Sequence, residues 1–103
     1  MTPLDELLAL DWTSHTIEIA PGVQTRPGQP LLRDEVRTRA VMRELRRHAM
    51  RDGRGSGLRA LDLGCLEGGF TVELARAGFD ALGVEGRASN FAKCEALARQ
   101  LAL

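Results

Sequence analysis

The chain has 103 residues, 44% of them hydrophobic and 27% charged, and its 14 basic side chains balance 14 acidic ones. That composition suits one folded domain with a modest core and excludes collagen-like, mucin-like and mainly disordered classes. Net neutrality gives no overall pull toward nucleic acid or an anionic membrane. No apolar run approaches the roughly 18 residues of a membrane span, and Asp5 and Glu6 stand where a signal peptide would be basic.

With Cys65 and Cys94 as the cysteines, there is neither a disulfide framework nor a multi-cysteine metal cluster. His15 and His48 add no recognisable ligand set, so no metal is expected. A reducing, cytoplasmic setting is the default expectation.

Residues 3–10 predict a short helix, with Pro3 in its first turn, Asp5 and Glu6 at its positive end, and Leu4, Leu7 and Leu8 along one side. Thr16, Glu18 and Ala20 alternate with Ile17 and Ile19, as in a short strand that Pro21-Gly22 turns. Thr25 to Pro30 is too rich in Pro and Gly for a helix or central strand. A longer helix is predicted over Arg33 to Arg51, on the spacing of Val36, Ala40, Val41 and Leu45. From Arg33 to Arg59 nine arginines face four acids, and an arginine-rich face of this kind is usually a solvated one. Asp52 to Gly57 breaks the helix as a flexible link. Residues 1–52 therefore read as a mainly helical extension packed against residues 53–103.

The second half alternates more regularly. Leu58 to Leu63 predicts a strand, Gly64 to Gly69 a turn, and Phe70 to Ala77 a helix ended by Gly78. Phe79 to Val84 predicts a second strand, closed by Glu85. Ser89 caps a last helix to about Leu101, with Phe91, Cys94, Leu97, Ala98 and Leu101 as its apolar stripe. The fold class is thus α/β with a parallel crossover. Two or three strands are too few for a covered α/β core. The chain accordingly reads as the amino-terminal, truncated part of a longer domain, or as a homo-oligomer that pairs its open sheet edge.

A glycine turn at the carboxyl end of a strand is where open α/β sheets bind ligands. Gly64 and Gly68 let a ligand approach without a Cβ in the way, and the N–H groups opening the next helix suit an electron-rich group. Glu85 follows Gly64 by about 20 residues, the separation at which an acid accepts both hydroxyls of a ribose. Leu66 occupies the middle glycine position of a dinucleotide fingerprint, and no Gly-Lys-Ser/Thr follows to make a P-loop. Asp62 and Glu67 would repel a pyrophosphate but accept hydrogen bonds from a cationic group. The pattern favours a nucleoside with a positively charged tail.

These segments, LDLGCLEGG from Leu61, FTVELARAG from Phe70 and LGVEGR from Leu82, resemble the first two cofactor motifs of class I S-adenosylmethionine-dependent methyltransferases. The resemblance covers residues 58 to about 100. It implies a Rossmann-like methyltransferase fold, with S-adenosylmethionine as cofactor. It places Asp62 and Gly64 near the methionine part, Glu85 on the ribose hydroxyls, and Gly86 and Arg87 beside the adenine. Asp62, Gly64 and Gly68 match the family's usual acid and glycine pattern, Cys65 and Glu67 match variants of the loop, and Leu66 departs from the usual middle glycine. The extension, through Trp12, His15, Ile17, Gly22 and Thr25, loosely resembles that of tRNA-wobble-uridine-type and related small-molecule methyltransferases.

The implied activity is methyl transfer to a small-molecule or RNA acceptor, with this chain carrying the cofactor half. It contains no assignable general base, and the isolated 103 residues are expected to be inactive. Two alternatives stand beside it: an NAD-type nucleotide-binding fragment, and a noncatalytic interaction module using the Arg33–Arg59 surface. Of the single residues, His15 reads as a surface or capping residue, Trp12 as a packing residue, and Cys65 as a small side chain rather than a nucleophile.

Overall fold

The computed structural model describes residues 2–102. Among them are four α-helices and two small sheets, an α/β arrangement. The helices are α1 (Pro3–Leu8), α2 (Val36–His48), α3 (Gly69–Arg76) and α4 (Ala88–Leu101). Strands β1 (Glu18–Ala20) and β2 (Val23–Gln24) pair antiparallel, and β3 (Arg59–Leu63) and β4 (Asp80–Val84) pair parallel. No helix among the described residues is long and apolar enough to cross a membrane.

Helix α1 starts on a capping box. The Thr2 hydroxyl accepts the Asp5 N–H at 3.1 Å, and the Asp5 carboxylate accepts the Thr2 N–H at 3.0 Å. Gly22, at φ +73°, makes the turn that the Pro21-Gly22 pair predicts. The turn also brings back a two-residue return strand, β2, which the sequence pattern did not reveal. Arg76, in the last turn of α3, donates to the Glu18 carbonyl at 2.6 Å and so fastens the hairpin to that helix.

The long helix expected over Arg33 to Arg51 is divided. A 3-10 turn at Leu32–Asp34 precedes an extended Glu35, and only then does α2 begin. The cause is Leu32. Its side chain is fully buried and its N–H donates to the Thr16 carbonyl at 2.8 Å, so the chain must bend before it can continue. The buried face shifts as well: Val36 is 85% exposed, whereas Thr38 is 1% exposed. The link after α2 is tighter than expected, because Arg51 and Arg54 exchange backbone hydrogen bonds across Asp52-Gly53.

The main core joins the extension to the second half. Leu7, Trp12, Ile17 and Ile19 pack with Val72 of α3 and Leu97 of α4. Trp12 takes the packing role expected of it, with its indole N–H satisfied by the Leu7 carbonyl at 2.8 Å. In α4 the buried positions are Asn90, Lys93 and Leu97, while Phe91 is half exposed. The cap also moves, to Arg87, leaving Ser89 exposed inside the first turn. On the β3–β4 ribbon the alternation of a strand is clear, and Ala60, Asp62, Ala81 and Gly83 are half-buried. Leu61, Leu63, Leu82 and Val84, register partners in pairs, form an exposed apolar face.

Candidate functional site

Parallel register sets Leu63 beside Val84, so the chain leaves both strands at the same end: Gly64-Cys65-Leu66 from β3 and Glu85-Gly86-Arg87 from β4. The first of these segments must turn sharply. Gly64, Leu66 and Gly68 all have left-handed backbones, with φ of +67°, +54° and +92°. For Leu66 that conformation is costly, by roughly 1–2 kcal/mol, and its neighbours hold it in place. Its N–H donates to Glu85 Oε1 at 3.2 Å, and its carbonyl accepts the Cys94 thiol at 3.2 Å. The Cys65 N–H donates to the Val84 carbonyl at 2.9 Å, carrying the strand pairing one step into the turn.

Glu85 is the hub of this rim. Its Oε2 accepts the Asn90 amide at 3.1 Å, and its acidity is increased first by that hydrogen bond and then by the Leu66 N–H. Two protein donors leave lone pairs on both oxygens for further donors. At Gly64 and Gly86 nothing lies within 4 Å of where a Cβ would project, so neither position is crowded by the protein. Arg87 follows as the cap of α4.

Asp62 lies one step below the rim, its Oδ2 accepting the Thr71 hydroxyl at 2.8 Å. Across the ribbon, a Cβ on Gly83 would fall 2.6 Å from the Thr71 hydroxyl oxygen and 2.9 Å from Cys65 Sγ. A side chain at position 83 would therefore displace the turn. Thr71, Gly83 and Asn90 escape the sequence reading. Only Gly83 carries a signal there, as a glycine within a strand, which marks a close approach.

Glu67 departs from the expected ligand contact. Its side chain is turned inward and enclosed, where it accepts the N–H groups of Thr13 at 2.9 Å, Ser14 at 2.7 Å and His15 at 2.6 Å. The Lys93 ammonium adds a fourth donor at 2.6 Å, and the Thr13 hydroxyl a fifth at 3.4 Å. Burial pushes this carboxyl up, but Lys93 and the three backbone donors outweigh it and hold it at about 2. The residue is a clasp between extension and turn, with its oxygens committed to the protein itself.

The helix opening is also partly occupied. The Gly69 N–H, first in α3, donates to His15 Nδ1 at 2.9 Å. His15 is thus a buried cap supplied from the extension, and not a surface residue. Accepting that N–H at Nδ1 requires a neutral ring with its proton on Nε2, a form that burial, which lowers the pKa, also favours. A Cβ on Gly69 would collide with both Leu32 and His15, which explains glycine there. Cys65 and Gly68 lie beneath the turn, against α4: Cys65 Sγ is 3.6 Å from Cys94 Sγ, and Gly68 faces Cys94 and Leu97.

The eight sequence-derived positions therefore separate into three groups. Gly64, Glu85, Gly86 and Arg87 gather at the strand ends with Asp62 just below them. Cys65 and Gly68 support the turn from inside. Glu67 points away, into the extension. Compared with protein-family models, curated proteins and solved structures, the chain matches none.

Proposed function

We propose that this chain is the cofactor-binding part of a Rossmann-like, class I S-adenosylmethionine-dependent methyltransferase. The observation that supports it best is Glu85, whose carboxylate stands 3.2 Å from the Leu66 N–H, on a rim where nothing crowds the Cβ positions of Gly64 and Gly86. A carboxylate prepositioned by one backbone and one amide donor, with acceptor capacity to spare, suits the paired hydroxyls of a ribose. Asp62 keeps one oxygen beyond its bond to Thr71 for a cationic amino group.

The bound sulfonium would supply an already activated methyl group. The chain's own contribution is to fix that nucleoside: Glu85 and Asn90 orient its sugar, Gly64 lets it lie close to the backbone, and Asp62 balances the charge of its tail. Glu67 has no part in this, since its carboxylate is taken up by donors of the protein itself. The exposed Leu66 side chain, on a left-handed backbone at the turn, stands where a dinucleotide pyrophosphate would need glycine. That disfavours the NAD-type alternative. The methyl acceptor, small molecule or RNA, has no assigned residue.

Calorimetric titration with S-adenosylmethionine, S-adenosylhomocysteine and NAD tests this reading. The two sulfur nucleosides should bind in preference to NAD. Glu85→Ala should weaken them by about 10- to 100-fold, the loss expected for hydrogen bonds to a charged acceptor. Preference for NAD would overturn the proposal in favour of a dinucleotide site. Binding unchanged by Glu85→Ala, in a variant that melts normally, would remove the ribose assignment.

A further inference from the structure

Cys65 and Cys94 are far apart in sequence yet their sulfurs are 3.6 Å apart, held there from two directions. Cys65 is fixed by the turn, through its N–H to the Val84 carbonyl and its own carbonyl to the Gly68 N–H, each at 2.9 Å. Cys94 is fixed by α4 and directs its thiol at the Leu66 carbonyl. Among the described residues, no group of three or more His, Cys, Asp and Glu side chains is placed to hold a metal ion. Both line a groove of about 480 Å³ between α3, β4 and α4 that opens to solvent, with Cys65 buried and Cys94 half-buried in its wall.

We propose that Cys65 and Cys94 form a reversible thiol–disulfide site, oxidised by a hydroperoxide, that ties the glycine turn to α4. The sulfurs need to approach by about 1.5 Å to reach the ordinary S–S length near 2.05 Å, a movement that side-chain rotation and a small shift of the turn can supply.

The order of events follows from the surroundings. Cys94 directs its S–H at the Leu66 carbonyl, and burial and the neighbouring Cys65 push that thiol up to about 12, so Cys94 holds its proton at the first step and Cys65 supplies the attacking sulfur. The Cys65 thiolate attacks one peroxide oxygen, the O–O bond breaks and hydroxide leaves, giving a sulfenic acid. Cys94 then gives up its proton as its sulfur attacks the sulfenic sulfur, the S–S bond forms and water is released. The two thiols lose two electrons in total, which reduce one hydroperoxide to water and, for an organic peroxide, an alcohol. A dithiol reverses the reaction.

The consequence falls on one peptide unit. Oxidation removes the S–H donor from the Leu66 carbonyl, while the Leu66 N–H remains on Glu85. The turn that carries Leu66 becomes covalently joined to α4, which adds a constraint on the unfolded chain as well. This proposal stands independently of the nucleoside reading.

Treating the reduced full chain with hydrogen peroxide, followed by intact mass and tryptic mapping, decides the matter. The expected product is a monomer lighter by two hydrogen atoms, with both thiols protected from alkylation together. Trypsin should release peptide 60–76 joined to peptide 94–99, dithiothreitol should separate them, and the melting temperature should rise by several degrees in the oxidised form. Cys94→Ser should abolish the intramolecular product and leave Cys65 as a trapped sulfenic acid or an intermolecular dimer. If the wild-type chain instead gains oxygen at one cysteine while the other stays alkylatable, or yields only disulfide-linked dimers, the proposal is wrong.

Discussion

The glycine turn has two unlike flanks. On the amino-terminal flank, Glu67 is enclosed by three backbone N–H groups and Lys93, and His15 caps α3. On the other flank, the β3–β4 ribbon shows Leu61, Leu63, Leu82 and Val84 to solvent. The contrast teaches that apolar content alone does not locate the stable part of this molecule. The most closely determined geometry belongs to a buried ion pair, whose removal is costly because each partner would remain enclosed without the other. The leucine-rich ribbon, by comparison, leaves Leu61, Leu63, Leu82 and Val84 exposed.

The largest test of this contrast is removal of the clasp. Glu67→Ala strands Lys93 and three backbone donors, and should cost about 3–5 kcal/mol in urea denaturation. Lys93→Met should cost less, since the carboxylate keeps its three N–H donors. Equal losses for the two would mean that the backbone bonds contribute nothing.

Acid should act through the same group. Glu67 has a folded pKa of about 2 against an ordinary 4.5, so its contribution is complete above about 4.5 and disappears as pH falls toward 2. The expected loss is on the order of 2–3 kcal/mol. His15 works in the same direction at milder pH. Its pKa is lowered by burial, so its stabilisation is present above the ordinary 6.5 and is lost as pH falls through the folded value. Stability that rises between pH 6.5 and 4.5 would contradict the assignment of His15 Nδ1 as an acceptor.

The smallest effect belongs to the open ribbon. Leu63 is 73% exposed, and Leu63→Lys should change stability by no more than about 0.5 kcal/mol. A loss several times larger, dependent on protein concentration, would show that a second copy covers this face.

The legible and illegible parts of the sequence divide along the same line. The strand–turn–helix–strand order of the second half was readable, because period-2 alternation and glycine punctuation are local signals. So was the nearness of Glu85 to the bend, since two parallel strands of equal length deliver their next residues side by side. Glu67 was not readable, because its partners Thr13, Ser14 and His15 lie more than fifty positions earlier and no local pattern announces a backbone donor. The same blindness left Phe91 half exposed and put Asn90 and Lys93, which answer to Glu85 and Glu67, on the buried face of α4. In α2 the apolar stripe misled for another reason: Leu32, outside the helix, set where it began.

The clasp also has a kinetic side. Its three backbone donors are among the first fifteen residues and its acceptor lies more than fifty positions later, so they can meet only after a long loop has closed. During synthesis the early segment emerges long before Glu67 and longer still before Lys93, with no partner for its backbone. Assembly of this junction is therefore a late and non-local event, of the kind that slows folding relative to helical hairpins of equal size.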